Sequence, residues 1–278
     1  AKNIELRLPA YRAPEPEMIA LFEEPDKPPY YGSNHLLNFH TVYLDLWESE
    51  LGSICSEAKC CDGKVVDITR VGPHCKKKYA STWYQWCKNG GFAKLYGAQR
   101  PKVDNTFHRA GANDLLDSRF KGMASLNKRM IAYATKYGYV ESMPDSTVDP
   151  ERGYPILCTR TEQGGILPTV PLNYMVQSSA CWWTMKAMIR VAGQLLEWRR
   201  RPTSPFDGHL AMQVHDELVL DLPKRAHPKK NPKMSNLGRI REIVKLMEEG
   251  GRDFIPTIPT PVGVEYHESN WGEGDTLA

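Results

Sequence analysis

Two adjacent carboxylates interrupt a strongly apolar stretch near the C-terminal end of the sequence. Asp216 and Glu217 lie between the apolar runs 210–214 and 218–222. Two short apolar runs around a polar centre predict a β-hairpin with the charged residues at its turn. Carboxylate oxygens are the ligands that Mg²⁺ prefers, and charged groups in such surroundings are costly unless a cation compensates them. The hairpin therefore predicts a metal-binding turn, with a plain polar turn as the alternative.

A row of one cation and two aromatic rings forms a second candidate group. Lys88, Phe92 and Tyr96 recur every four residues, so on a helix they share one face. Phosphoryl transfer depends mostly on positioning and charge stabilisation. The row suits that chemistry, because the lysine can bind phosphates and the rings can contact a base. An aromatic core stripe with a flanking lysine is the alternative.

Two amide side chains form a third candidate group. Asn173 and Gln177 lie one turn apart at the start of a long apolar-periodic stretch. Amides can contact sugars and base edges without adding charge. Asparagine is also a common helix cap, and a capping role is the alternative here.

Helices and short strands must position these groups. Apolar periodicity predicts a long amphipathic helix over 173–198, and Gly138 is placed as the stop of the helix before it. Adjacent Gly90 and Gly91 would each cost about 1 kcal/mol relative to Ala inside a helix, which indicates close approach by another group. The remaining predictions are a strand end over 3–8, helices over 17–24, 35–47, 79–96, 115–137 and about 240–247, and short strands within 139–171.

The composition limits the class of protein. A chain of 278 residues with 41% hydrophobic residues can bury a core and form one or two domains. The formal charge of +3 is too small to indicate a nucleic-acid partner by itself. No apolar run approaches the ~20 residues that span a bilayer, and the first residues do not resemble a signal peptide. We therefore expect a cytoplasmic protein without a membrane partner.

The seven cysteines are irregularly spaced. An odd number with this spacing does not indicate a secreted disulfide framework. One cluster of soft metal ligands lacks paired Cys-x-x-Cys spacing, so we predict buried or loop thiols there, with a zinc site as the alternative. This cluster consists of Cys55, Cys60, Cys61, His74 and Cys75.

The order and spacing of these segments resemble family A DNA polymerases, the group of bacterial DNA polymerase I and many phage replicases. The resemblance runs from residue 3 to about residue 272 and rests on five elements in the expected order. They are Ile4-Glu5-Leu6-Arg7 for the end of motif A, Lys88, Phe92, Tyr96 and Gly97 for motif B, Asn173 and Gln177 for the Asn-x-x-x-Gln element, His215-Asp216-Glu217 for motif C, and Asn270-Trp271 for the Asn-Trp near the C-terminus.

The resemblance implies an α+β fold of the right-hand type. A palm with an antiparallel sheet would occupy 1–35 and 166–278, and a helical fingers subdomain would be inserted over 36–165. The implied function is template-directed DNA synthesis, in which a nucleotide is transferred from a dNTP to the primer 3′-hydroxyl with two Mg²⁺ ions. The implied partners are primer-template DNA, dNTP and the upstream part of the polymerase, with the thumb and an exonuclease. The divergent motif B indicates a phage enzyme, acting in the cytoplasm of its bacterial host.

The resemblance also implies roles for residues at the reaction centre. Asp216 would bind the metal ions with Glu217 close by, and the backbone carbonyl of Ala1 would be a further ligand. Lys88 would neutralise the triphosphate and donate a proton to pyrophosphate. Glu5 would exclude a ribose 2′-hydroxyl.

Other implied roles concern substrate contacts. Phe92 and Tyr96 would line the nucleotide pocket, with His40 as a looser match to the family's triphosphate-binding histidine. The residues expected to contact primer-template DNA are Asn173, Gln177 and His215.

The sequence departs from the family pattern at three positions. The motif A aspartate would stand directly before Ala1, so we expect one principal metal ligand to lie outside this chain and the isolated chain not to extend a primer. Tyr84 and Thr169 stand where the family usually has arginines.

Glu217 and Glu5 argue against a single-subunit RNA polymerase. A non-catalytic fragment that binds primer-template DNA remains the alternative function.

Overall fold

The computed structural model describes residues 4–26, 32–43, 45, 81–202, 206–225, 229–230, 233, 235–268 and 274–277. Ala1, the predicted cysteine cluster and Asn270-Trp271 lie outside these ranges. The helices are α1 (Ile4–Arg12), α2 (Pro16–Glu23), α3 (Asn34–Val42), α4 (Ser81–Leu95), α5 (Arg100–Phe107), α6 (Ala112–Arg119), α7 (Lys121–Tyr137), α8 (Val170–Arg200) and α9 (Leu237–Arg252). The strands are β1 (Tyr139–Glu141), β2 (Pro155–Leu157), β3 (His209–Val214), β4 (Glu217–Asp221), β5 (Glu265–His267) and β6 (Gly274–Thr276).

The first element is a helix, so the predicted strand end over 3–8 is wrong. Ile4, Leu6 and Leu8 alternate as in a strand, but α1 also buries Arg7 and Ala10. A helix that is buried on nearly every side loses the apolar stripe that identifies an amphipathic helix. The alternation of apolar residues therefore could not distinguish a helix from a strand.

Helix α4 confirms the helix predicted over 79–96, and its two glycines have a packing reason. A Cβ at Gly90 would lie 2.3 Å from the ring of Phe107 on α5. A Cβ at Gly91 would lie 2.3 Å from Nδ2 of Asn38 on α3. The two glycines thus let α3 and α5 approach the backbone of α4, as the sequence indicated.

The stretch predicted as helical over 115–137 is divided into α6 and α7 at Phe120. Glu15 causes the second helix to start there, because its buried carboxylate accepts a hydrogen bond of 2.7 Å from the backbone N–H of Met123. This bond satisfies one of the donors that a helix N-terminus leaves unpaired. Gly138 ends α7 with a φ of +81°, in the left-handed conformation expected of a C-terminal glycine.

The long helix predicted over 173–198 is confirmed as α8, which has 31 residues. Its buried side chains include Val176, Trp183, Ala187, Val191 and Leu195, at spacings of four to seven residues. Within the described ranges, no helix is long and apolar enough to cross a lipid bilayer.

The strands form small antiparallel pairs, β1 with β2, β3 with β4, and β5 with β6. The β3–β4 pair is the hairpin predicted around Asp216. Its register runs from His209 opposite Asp221 to Val214 opposite Glu217, with an irregularity between Leu210 and Met212. The architecture is therefore mixed helix and strand, as expected of an α+β fold.

The chain divides into two compact units. The first unit comprises Ala1–Leu8, Met143–Gly153 and Gln177–Ala278, and the second comprises Pro9–Ser142 and Tyr154–Val176. These boundaries differ from the limits 1–35, 36–165 and 166–278 predicted from the sequence. Those limits refer to palm and fingers subdomains rather than to compact units, and they stay a prediction. Two of the boundaries fall inside α1 and inside α8, so both helices contribute residues to both units.

Each unit has its own core. In the first, the β3–β4 hairpin packs through Leu218 and Leu220 on a cluster that contains Trp198, Phe206 and Ile243. In the second, Ala134 of α7 and Val140 of β1 pack with Cys158, which follows β2. The hairpin that carries the predicted metal ligands is thus held on this core by leucines of both strands, while His215 at its turn is exposed.

Candidate functional site

The turn of the β3–β4 hairpin consists of His215 and Asp216. His215 has a φ of +51°, a conformation that costs a non-glycine residue about 1–3 kcal/mol and that recurs at functional sites. The side-chain amide of Gln213 donates a hydrogen bond to the carbonyl of His215 and holds the turn. The turn leaves His215 exposed and Asp216 half-buried.

Asp216 lies beside the segment that resembles motif A. Its side chain lines a small cavity that is open to solvent, together with Ile4 at the start of α1. The other lining residues are Trp183, Thr184 and Ala187 of α8, Met247 of α9, and Val262. Ile4 and Asp216 are distant in the sequence, so their proximity is a property of the fold.

Glu217 points differently from its neighbour. It is exposed at the first position of β4, where successive side chains alternate between faces. Leu218 and Leu220 occupy the core face, which places Glu217 on the opposite, solvent face. Asp216 and Glu217 can offer hard oxygen ligands to a cation. Among the described residues, no three His, Cys, Asp or Glu side chains form a group that could hold a metal.

The predicted row on α4 is present in the second unit. Phe92 and Tyr96 are half-buried and stack with ring centroids 6.1 Å apart and an interplanar angle of 21°. Lys88, one turn earlier, is exposed. The ring of His35 on α3 lies 5.8 Å from that of Phe92. Sequence reasoning missed His35, and no spacing to the row could have found it because the contact joins two helices.

His40 lies on a different side of α3. Asn38 faces α4 at Gly91, and a residue two positions later leaves an α-helix on nearly the opposite side. His40 instead lies next to Arg119 of α6, with 3.4 Å between its Nδ1 and the guanidinium Nη1. Arg119 also forms a salt bridge of 2.7 Å with Glu17. His40 is therefore part of a charged cluster on α2, α3 and α6, and its predicted role as a triphosphate ligand stays a prediction.

The positions where the family has arginines are filled by packing and turn residues. The ring of Tyr84 packs edge-on against His35 at 5.4 Å, and burial raises the pKa of its phenol above the ordinary value. Thr169 lies in the turn before α8, and its Cα would be 3.2 Å from a Cβ at Gly97. Gly97 has a φ of +77°, so both its conformation and its surroundings require glycine.

The amide pair lies at the start of α8. Asn173 is half-buried, and its side-chain oxygen is buried without a hydrogen-bond partner among the described residues. Gln177, one turn later, is exposed. A buried polar atom that lacks a partner costs about 1–3 kcal/mol, so Asn173 is suited to accept a hydrogen bond from a ligand.

Two residues of the segment resembling motif A differ in exposure. Glu5 is half-buried, next to Ile4 of the cavity. Arg7 is buried, donates a hydrogen bond from Nη1 to the carbonyl of Pro259, and has its pKa lowered to about 10 by desolvation. Sequence reasoning did not single out Arg7. It ties α1 to the C-terminal segment that also lines the cavity through Val262.

The comparisons with known proteins find a likeness of fold. No family model matches the sequence. No curated protein matches it either. Among solved structures, the chain is similar to the POL domain of Pol1 from M. smegmatis, in complex with DNA primer-template and dNTP, with a TM-score of 0.58 and 16% sequence identity. The likeness covers 90% of this chain and 35% of that one. The chain thus has the fold of part of a DNA polymerase domain.

Proposed function

We propose that this chain is the palm and fingers part of a family A DNA polymerase, of phage type, that carries out template-directed DNA synthesis. In this reaction the primer 3′-hydroxyl attacks the α-phosphorus of a dNTP, a new phosphodiester bond forms and pyrophosphate leaves. Asp216 would bind the metal ions, with Glu217 close by. Lys88, Phe92 and Tyr96 would bind the incoming nucleotide, and Asn173, Gln177 and His215 would contact primer-template DNA.

The observation that supports this proposal most directly is the shared cavity of Ile4 and Asp216. These residues belong to segments that resemble motifs A and C, and they are 212 positions apart in the sequence. The family resemblance, which rests on the sequence alone, requires these two segments to be neighbours in the fold. The likeness to a polymerase domain supports the same arrangement at the level of the fold.

The donor atoms fit a magnesium site in part. Asp216 and Glu217 supply carboxylate oxygens, the ligand type that Mg²⁺ takes in proteins that bind phosphates. When bound, two such ions neutralise developing charge and activate the attacking hydroxyl. This chain's own contribution is to fix Asp216 at a constrained turn beside Ile4 and to keep Glu217 on the solvent face. A further carboxylate, expected from the upstream part of the polymerase, would complete the site.

A non-catalytic fragment that binds primer-template DNA is the second candidate. Its supporting observation is the buried side-chain oxygen of Asn173, which has no hydrogen-bond partner among the described residues and can accept one from DNA. In that case Asn173, Gln177 and His215 would retain their contacts with DNA. Addition of a dNTP would then not strengthen the binding of primer-template DNA.

Nucleotide-dependent binding tests the proposal. With the 278-residue chain, Mg²⁺ and a primer ending in a dideoxynucleotide, the correct next dNTP should strengthen binding of primer-template DNA more than the three incorrect ones do. Asp216→Asn should lower this effect by about tenfold or more, a loss typical even of groups that only support a metal ligand. Asp221→Asn is the matched control, because Asp221 is an exposed carboxylate on the same hairpin.

Primer extension separates the two candidates. The chain should extend a primer when the upstream part of the polymerase is supplied in cis or in trans, and Asp216→Asn should abolish extension. Binding of primer-template DNA that ignores the identity of the dNTP, with no extension in either arrangement, would favour the non-catalytic fragment.

A further inference from the structure

Helix α7 carries a stripe of positive charge. Its 17 residues include Lys121, Lys128, Arg129 and Lys136 and no acidic residue. All four are exposed, and none forms an ion pair with another described residue. Spacings of seven or eight residues place them along one side of the helix over about 22 Å, at 1.5 Å per residue. Four exposed cations on one side of a helix concentrate positive charge, which attracts the phosphate backbone of a nucleic acid.

The stripe ends at three tyrosines that contact one another. Tyr133 and Tyr137 lie on the last turns of α7 with ring centroids 4.6 Å apart, and Tyr139 on β1 lies 5.5 Å from Tyr133 and 6.3 Å from Tyr137. The Tyr133 hydroxyl donates a hydrogen bond of 3.1 Å to that of Tyr139, which raises the pKa of Tyr133 to about 12 and keeps it a neutral donor. The rings therefore form a fixed group rather than three independent side chains.

The outermost ring is open to solvent. Tyr137 is 51% exposed, and the ammonium of Lys136 lies 4.8 Å from the centre of its ring. Exposed Arg160 lies beside Gly138, with Nη2 3.4 Å from where a Cβ at that glycine would stand. Glu141 is an acidic neighbour of the group, and its charge contributes to the raised pKa of Tyr133. Two cations thus lie near Tyr137, Lys136 over its ring and Arg160 beside the next residue, Gly138.

We propose that the basic stripe of α7 and the ring of Tyr137 form a binding site for single-stranded nucleic acid. The cations of the stripe bind phosphates along the strand. A base stacks on Tyr137 and displaces the flexible Lys136 ammonium toward the phosphate of the same nucleotide. Every base has an aromatic face, so this mode of binding is tolerant of sequence. If the proposed polymerase function holds, the ligand is the unpaired template strand.

Binding of a fluorescent oligothymidylate of about 16 nucleotides, the upper end of common site sizes, tests the stacking contact. The assay uses the 278-residue chain without dNTP or Mg²⁺, so its outcome does not depend on polymerase activity. Tyr137→Ala should weaken binding by about 5- to 150-fold, the range for loss of one stacked base. Tyr137→Phe keeps the ring and should bind as the parent chain does. Tyr154→Ala, which removes another exposed tyrosine, is the matched control.

The salt dependence tests the phosphate contacts. Lys128→Ala should lower the slope of log K against log salt concentration by about 0.7, the value for one phosphate contact on a single strand. Lys245→Ala, at an exposed lysine of α9, should leave the slope unchanged. Photocrosslinking with 5-iodouracil in the oligonucleotide should label Tyr137. The proposal is overturned if Tyr137→Ala binds the oligonucleotide like the parent chain, or if it weakens binding of a blunt duplex equally.

Discussion

Asp216 and Phe92 show how the surroundings of a residue set its chemistry. Asp216 is half-buried because the turn residue before it adopts a left-handed conformation and directs it toward the cavity of Ile4. Phe92 is half-buried because His35 covers one part of its ring and Tyr96 stacks on another. Both side chains keep an accessible part, which substrate contact requires. Substitutions at this scale should therefore alter selectivity more than stability.

Glu5 provides the first such prediction. If its side chain fills the space of a ribose 2′-hydroxyl, Glu5→Ala should lower discrimination against ribonucleotides in the assembled polymerase, because this specificity rests on a steric clash. The ratio of deoxyribonucleotide to ribonucleotide incorporation measures the effect. Glu23→Ala, an exposed glutamate at the end of α2, is the control. An unchanged ratio in Glu5→Ala would show that the alignment with motif A is wrong.

Phe92 provides the second prediction about selectivity. In the family it resembles, Tyr at this position accepts dideoxynucleotides readily, since the phenol replaces a hydrogen bond that the nucleotide 3′-hydroxyl otherwise makes. Phe92→Tyr should raise dideoxynucleotide use by about ten- to a hundredfold, equivalent to about 1–3 kcal/mol for one polar group. Chain-termination assays on the assembled polymerase measure this.

The melting temperature decides between a pocket residue and a packing residue. Phe92 is half-buried, so a new hydroxyl can reach solvent and the melting temperature should change little. Phe39→Tyr, at a buried ring of α3, should instead lower the melting temperature without any change in selectivity. If Phe92→Tyr behaves like Phe39→Tyr, Phe92 serves packing only.

At the scale of elements, α4 is positioned by two glycines and α8 is not. Both helices contain glycine in their interior, where alanine is intrinsically better by about 1 kcal/mol. On α4 the missing side chains make room for Phe107 and Asn38. On α8, nothing lies within 4 Å of the place where a Cβ at Gly193 would stand. The same substitution should therefore have opposite signs on the two helices.

Gly90→Ala should destabilise the protein, because the new methyl group would lie 2.3 Å from the fully buried ring of Phe107. Overpacking of this kind costs about 1–3 kcal/mol and exceeds the gain in helix propensity. Gly193→Ala should stabilise it by up to about 1 kcal/mol. Thermal or urea unfolding of the two variants measures both. A stabilised Gly90→Ala would mean that α5 can move away from α4.

At the scale of the whole molecule, an ion-pair cluster joins three distant segments of the first unit. Lys186 on α8 lies 2.5 Å from Asp145 in the segment 143–153 and 2.8 Å from Asp253 after α9, and Arg190 lies 2.7 Å from Asp253. The Asp145 side chain is only 8% exposed. Burial raises the pKa of Asp145, but the hydrogen bonds from Lys186 and Thr147 together lower it by more than burial raises it. The net pKa is therefore below its ordinary value of 3.8.

Lys186→Met should leave the buried carboxylate of Asp145 without its cation, while Asp253 keeps Arg190, and should destabilise the protein by about 3–5 kcal/mol. Lys245→Met is the control, because Lys245 is exposed and its pair with Glu249 is worth about 0.3–0.5 kcal/mol. Chemical unfolding at neutral pH measures both.

The pH dependence of stability has a defined sign. The folded-state pKa of Asp145 is depressed, so its contribution to the free energy of unfolding is complete above pH 3.8 and is lost as the pH falls through the folded-state pKa. Lys186→Met should lose this acid-dependent part of the stability. If the variant and the parent chain show the same loss of stability on acidification, the cluster does not hold Asp145 ionised.

The sequence by itself determined the elements whose information is local. The apolar period of α8, the glycine that ends α7 and the polar turn between two apolar runs all lie within a few residues, so helices and the hairpin were predictable. The motif spacing likewise identified Asp216, Lys88, Phe92 and Tyr96 as candidate residues. Their pattern depends on helix and strand geometry alone.

The tertiary structure decided what depends on burial and on long-range contact. Helix α1 is buried on nearly every side, so its alternating apolar residues could not distinguish helix from strand. The contact of Ile4 with the cavity of Asp216, that of His35 with Phe92, and the cluster of Asp145, Lys186 and Asp253 join segments that share no local pattern. Such contacts form because packing joins complementary surfaces of distant segments, and spacing along the chain does not encode which surfaces meet.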